Sequence, residues 1–168
     1  GRLKIAAALV LTAPFVPMLF MGEEWGATTP FQYFASHTDP ALGRAVSEGR
    51  RREFAAFGWA PDQVPDPQDP ATFERSRLDW REPARPPHAD LLVWYRQLIA
   101  LRRSTPALLD GRLDRVSATV DEDAGTLVVH RGPVTVAANL GTEVVKVAGV
   151  EGEVVLASVP GAHPAAHA

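Results

Sequence analysis

Two adjacent carboxylates, Glu23 and Glu24, stand between Gly22 and Trp25 at the end of the apolar run Val16–Phe20. Polar and aromatic groups at such a position commonly belong to a ligand pocket. Glu24 has two readings, as an acceptor for ligand hydroxyls or as an anchor for a neighbouring loop. Trp25 either stacks on a ligand ring or packs beneath the next loop. For Glu23 we favour pairing with an arginine. A second group follows in Phe31, Tyr33, Phe34 and His37. A long loop needs aromatic anchors, so most of these serve the fold. Tyr33 and His37 are the two we assign to ligand contact.

Metal chemistry has little support. The chain has no cysteine, which excludes disulfides and thiolate ligands. The histidines, His37, His88, His130, His163 and His167, lack zinc-motif spacing. Asp66, Asp69, Glu74 and Asp79 lie among prolines without the glycine turn of a calcium loop, and we read them as local caps. No metal or cofactor is expected.

These residues need elements to hold them. Lys4–Ala13 favours helix and should stop before Pro14. Val16–Phe20 is apolar at consecutive positions and reads as a short strand buried on both faces. Helix, turn and doubly buried strand form the repeat of a parallel α/β architecture. Residues 22–37 read as a loop. Asp39 is placed as an N-cap with Pro40 at the first helical position. In that helix Leu42, Val46 and Phe54 are expected to line the buried face. The arginines 50–52 have acidic neighbours, and we read them as an ion-paired, solvated face rather than a nucleic-acid site. Residues 60–87 form a proline-punctuated loop. Asp90–Arg103 is the clearest helix, with Leu91, Leu92, Tyr95, Leu98 and Ile99 on one face.

After Gly111 the apolar period changes to two. Leu113–Val120, Thr126–His130, Val134–Asn139, Glu143–Val147 and Glu153–Ser158 read as strands of a small antiparallel β-sandwich. Asn139 is expected to bond backbone at a strand end. The division expected is 1–106 and 107–168.

Composition bounds the remaining choices. Apolar residues make up 46% of the 168 and charged residues 22%, ordinary for a soluble globular chain. A net charge of -3 gives no reason to expect nucleic acid or an anionic membrane. The uncharged run 5–22 contains Pro14 and Pro17, is marginal for spanning a bilayer, and has no cleavage signal after it. We read it as a buried segment of a cytoplasmic protein. The sequence opens on Gly1, and its methionines are Met18 and Met21. We therefore expect a processed N-terminus or a piece of a longer protein.

KIAAALVLTAPFVPMLFMGEEWG resembles the last barrel strand, with its preceding helix, of the α-amylase superfamily of glycoside hydrolases. LLVWYRQLIALRRSTPALLDG resembles the final barrel helix of that superfamily. VTVAANLG resembles an Asn-bearing strand of its C-terminal β-domain. TTPFQYFASHTDPALGRAVSEGRRREFAAFGW and VPDPQDPATFERSRLDW are similar to its trehalose-releasing branch.

The resemblance implies a fold and an activity. The fold is a TIM-type α/β barrel fragment, the last strand with flanking helices, followed by the small β-sandwich. The substrate in the parent enzyme is a malto-oligosyl trehalose or another α-glucan. The reaction is retaining hydrolysis of the α-1,4 bond next to the terminal trehalose. That chemistry needs two carboxyl groups about 5 Å apart across the scissile bond. In the superfamily the catalytic carboxylates lie on earlier strands, so the resemblance places all three upstream of Gly1. No catalytic residue is assigned to this chain. Glu23 and Glu24 are adjacent on an extended segment and point to opposite sides, poorly placed to flank one bond. A barrel strand's C-terminal end faces the active site. The implied substrate-binding residues are therefore Glu24, Trp25, Tyr33 and His37. The alternatives are a branching or debranching enzyme of the same superfamily and a non-catalytic carbohydrate-binding module. Trp59, Trp80 and Trp94 fall outside the β-region, which argues against the module.

Overall fold

A computed structural model describes residues 1–161, so His163 and His167 lie outside the described residues. Contacts divide the chain into a first unit of residues 1–26 and 83–168 and a second of 27–82. The boundary expected at 106/107 thus falls inside the first unit.

In the first unit, helix α1 spans Arg2–Thr12. Ala13 is extended and Pro14 ends the helix, as the proline requires. Helix α4 spans His88–Ser104 and follows a cis Pro86–Pro87 bond. Its residues Leu91, Trp94, Tyr95 and Leu98 recur at helical spacing and close on Ala7 and Leu11 of α1. The Trp94 indole Nε1 also donates to the Lys4 carbonyl at 2.8 Å, so the buried ring keeps its hydrogen bond.

The short helix α5, Pro106–Leu109, leads into strands β1 (Val116–Asp121), β2 (Thr126–Arg131) and β3 (Val134–Asn139). They form one antiparallel sheet in the order β1-β2-β3. Arg131 pairs with Val134, so Gly132 and Pro133 make a two-residue turn. Gly132 has φ +59°, the left-handed value such turns need at their first position. Asn139 acts on backbone as expected: its side chain accepts from the Gly141 amide and donates to the Glu143 carbonyl.

Two expectations need correction. Among the described residues there is one three-stranded sheet, not a sandwich. Glu143–Val147 and Glu153–Ser158 pair with nothing in a ladder, and Val144 and Val155 are exposed. Leu156, in the second of these segments, is partly buried against the α1–α4 core rather than in a second sheet. Val16–Phe20 is also not a strand here. Val16 is 93% exposed, and Phe15, Met18 and Phe20 are exposed beside it. A strand requires a hydrogen-bonded neighbour, and β1, β2 and β3 pair only with one another.

In the second unit, helix α2 spans Pro40–Ala55, with the Asp39 carboxylate accepting from the Ala41 amide. Helix α3, Pro70–Arg75, is capped the same way by Asp69. The arginine run is ion-paired as read: Arg50 with Glu53, Arg51 with Asp66 and Arg52 with Glu48. Of the three residues expected on the inner face of α2, Val46 and Phe54 are partly buried and Leu42 is exposed; the fully buried positions are Gly43 and Ser47. The reason is close approach: a Cβ on Gly43 would meet the Gln68 side chain at 3.2 Å. The Ser47 hydroxyl donates to Asp66 at 2.5 Å.

Asp66 therefore makes this unit acid-sensitive. The Ser47 hydroxyl first, then the Gln68 amide, holds its pKa below the ordinary carboxylate value; burial opposes this, and Arg51 adds to it. A lowered folded pKa means that the stabilisation is complete above about pH 4 and is lost as pH falls through the folded value. Thermal unfolding of the chain from pH 6 to pH 2 should show a fall in Tm that Ser47→Ala makes shallower. Parallel Tm profiles for the two proteins would remove the Ser47–Asp66 bond from the account.

Candidate functional site

The segment from Phe20 to Gly26 is built as a closed turn. Gly22 (φ +84°) and Gly26 (φ +64°) both lie in the left-handed region, which disfavours any residue with a Cβ. Between them Glu23–Trp25 forms a single 3₁₀ turn. The Glu23 amide donates to the Phe20 carbonyl at 3.0 Å, and the Phe20 amide donates to Glu23 Oε2 at 3.0 Å. Gly26 closes the turn by donating to the Glu23 carbonyl at 3.0 Å.

Helix α4 holds this turn from one face. Tyr95 donates its hydroxyl to Glu23 Oε1 at 3.0 Å. His88 Nδ1 lies 2.8 Å from the Trp25 carbonyl, which can only accept, so Nδ1 carries the hydrogen. Leu91 packs at Gly26, where an added Cβ would meet Leu91 Cδ2 at 3.1 Å. Residues 88, 91 and 95 fall on one side of a helix, at i, i+3 and i+7. Burial raises the Tyr95 pKa, and the Glu23 hydrogen bond and the charges of Glu23 and Glu24 raise it further. The phenol stays protonated and remains a donor.

The four residues assigned to ligand contact fall in different places. Glu24 and Trp25 lie in the first unit, and Tyr33 and His37 in the second. Glu24 is partly exposed, and no hydrogen bond or ion pair to it is present among the described residues. Trp25 is 2% exposed. That burial leaves no open ring face for a sugar, so core packing is the role this structure supports. Glu23 is committed, but to Tyr95 and the Phe20 amide rather than to an arginine.

Tyr33 is exposed, with the Arg50 guanidinium 5.0 Å over its ring. The backbone amide of His37 donates to Gln68 Oε1 at 3.1 Å, which fixes the chain there. Phe34 stands edge-on to Phe31 and to Phe73, an anchor of the kind expected for a long loop. Sequence reasoning placed Tyr95 in an apolar stripe and gave His88 no role. Their partners lie 72 and 63 residues away, and no local pattern could report them. Among the described residues, no cluster of three or more His, Cys, Asp or Glu side chains is placed to hold a metal ion.

No protein-family model matches the chain. It is 49% identical to a malto-oligosyltrehalose trehalohydrolase of Brevibacterium helvolum, over 96% of this chain and 27% of the relative. Over that stretch the chain is similar to the malto-oligosyltrehalose trehalohydrolases. The corresponding protein of Arthrobacter ramosus is 59% identical over 81% of the chain and 23% of its own length. That of Mycobacterium tuberculosis is 50% identical over 94% and 27%. The chain thus spans about a quarter of the length of these relatives. Its fold superimposes with TM-score 0.74 on a putative α-amylase from Salmonella typhimurium, at 33% identity, over 90% of this chain and 26% of that one. Among the described residues no helix is long and apolar enough to cross a membrane.

Proposed function

We propose that the chain is the C-terminal portion of a malto-oligosyltrehalose trehalohydrolase. The whole enzyme hydrolyses the α-1,4 bond next to a terminal trehalose and releases trehalose. The observation that carries this reading is 49% identity across 96% of the chain to a relative of that name. In the whole protein, residues 1–106 contribute the last strand and flanking helices of a catalytic barrel, and 107–168 belong to a β-domain. The exposed apolar run at Phe15–Phe20 supports that placement, because it is patterned for neighbours on both faces. Parallel barrel strands supply such neighbours.

The same reading gives Glu24 a task. At the catalytic end of the last strand it accepts hydrogen bonds from substrate hydroxyls, while the reacting carboxylates come from earlier strands. Tyr33 and His37 are the further substrate contacts. The buried Trp25 supports the turn rather than the sugar.

Purified chain, incubated with maltotriosyl trehalose, should release no trehalose above a matched blank. The full-length enzyme should release it. Release by the chain alone, abolished by Glu24→Gln, would overturn the proposal, since one partly exposed carboxylate cannot supply both acid and nucleophile.

A further inference from the structure

We propose that Tyr95 and Glu23 are positioning residues that lock the Gly22–Gly26 turn and so aim Glu24 at the substrate. The inference rests on the reading of Glu24 as a substrate contact, and it concerns residues to which that reading gives no task. The turn contains two carboxylates with opposite fates. Glu23 has both oxygens occupied, Oε1 by the Tyr95 hydroxyl and Oε2 by the Phe20 amide. Glu24 has no partner among the described residues and is partly exposed.

Commitment of the first defines the direction of the second. With Glu23 tied to α4 and to the backbone behind it, the 3₁₀ turn has one orientation. The His88 hydrogen bond to the Trp25 carbonyl fixes its far end. Gly22 and Gly26 supply the left-handed corners on either side. Three contacts from one helix face therefore act on a five-residue turn. A carboxylate held this way needs little reordering when a hydroxyl arrives. Released from Tyr95, the turn keeps its sequence but loses its aim.

The Glu23 carboxylate also explains why the donor is a phenol. Tyr95 is buried in the α1–α4 core, and an arginine reaching the same oxygen would bring a full charge into that core. A phenol gives one hydrogen bond with its ring still buried in the cluster that holds Leu11 and Leu98.

The test uses the full-length enzyme with Glu24→Gln, Tyr95→Phe, Glu23→Ala, Glu23→Gln and the double variant Tyr95→Phe/Glu24→Gln. Two readouts are taken on each: kcat and KM for maltotriosyl trehalose, and hydrogen exchange at the amides of Phe20, Trp25 and Gly26. Loss of a hydrogen bond made equally to substrate and transition state raises KM and leaves kcat. Glu24→Gln should raise KM about tenfold, and Tyr95→Phe should do the same. The double variant should be no worse than either alone, the sign that the two act as one unit. Glu23→Ala should match Tyr95→Phe. Glu23→Gln should recover most of that loss, because the amide NH₂ can donate to the Tyr95 oxygen while its carbonyl accepts from Phe20.

A merely structural Tyr95 predicts a different result: less folded protein, unchanged KM per folded molecule, and additive effects in the double variant. That outcome overturns the proposal. So does unchanged exchange at Phe20 and Gly26 in Tyr95→Phe. If the wild-type enzyme releases no trehalose, the functional reading fails by itself. The exchange data then still decide whether Tyr95 and Glu23 lock the turn.

Discussion

Arg131→Ala should lower the unfolding free energy of this chain by about 3–5 kcal/mol. Arg131 ends strand β2 and is 2% exposed. Its Nη1 donates to the Thr12 carbonyl at 2.6 Å and to Leu108 at 3.4 Å, and its Nη2 donates to the Asp110 carbonyl. One side chain therefore ties the sheet to the end of α1 and to α5. The partner Arg102 of α4 donates to the carbonyls of Leu11, Ala13 and Phe15, each at 2.8 Å. The last carbonyls of a helix have no intrahelical donor. Helix α1 has no basic residue in its own last turn. Two arginines from distant elements take that place, and both bring positive charge to the helix's negative end.

Hydrogen bonds to a charged donor contribute about 1.5–3 kcal/mol each, and buried carbonyls left bare carry a further penalty. Alanine loses the donors and leaves a void; Arg131→Met keeps most of the volume and loses only the donors. Denaturant midpoints for both variants separate the two effects. Most of the loss should persist in Arg131→Met. Arg131→Lys should not rescue it, because a single ammonium cannot reproduce a planar fork that reaches carbonyls on two elements. A loss below about 1 kcal/mol in Arg131→Ala would mean that the sheet is not fastened through this residue.

This clamp shows where sequence reading stops. Local signals placed what local chemistry controls. Pro14 ended α1, Asp39 and Pro40 began α2, and the 3.6-residue spacing of Leu91, Tyr95 and Leu98 gave α4 and its buried face. Strands β2 and β3 followed from alternation and their glycine turns. The failures share one cause. Val16–Phe20 and Glu143–Val147 have strand-like composition, but a strand exists only beside another, and the partner is set by the rest of the chain. The buried stripe of α2 fell on Gly43 and Ser47 because Gln68 and Asp66 approach there, which no hydrophobic count registers. Within the candidate site, Glu24 was legible as a carboxylate at the end of an apolar run. Tyr95 was legible only as a core residue. Its hydroxyl acquires a purpose once a turn 72 residues earlier folds against it.

Trp25 tests the same limit with a large effect. Its place beside two carboxylates suggests a sugar platform, and by that logic Trp25→Ala impairs substrate handling while Trp94→Ala costs stability. Burial overturns the contrast, since Trp25 is 2% exposed and Trp94 is 5% exposed. Both alanine variants should therefore lose about 3–5 kcal/mol of stability, the range for emptying a tryptophan's space in a core. What distinguishes them is the part that loosens. Trp94 belongs to the cluster that joins α1 to α4, and its indole donates to Lys4. Its loss should speed amide exchange along α1. Trp94→Phe, which keeps a ring but removes the donor, should lose about 1–3 kcal/mol by leaving the Lys4 carbonyl without that partner. Trp25 is the last residue of the 3₁₀ turn, and its carbonyl accepts from His88. Its loss should speed exchange at Gly26 and around Phe20 while α1 stays protected up to the point of global unfolding. A Trp25→Ala protein within about 1 kcal/mol of wild type would show that the ring is not a core residue. The sugar-platform reading would then regain its claim on this tryptophan.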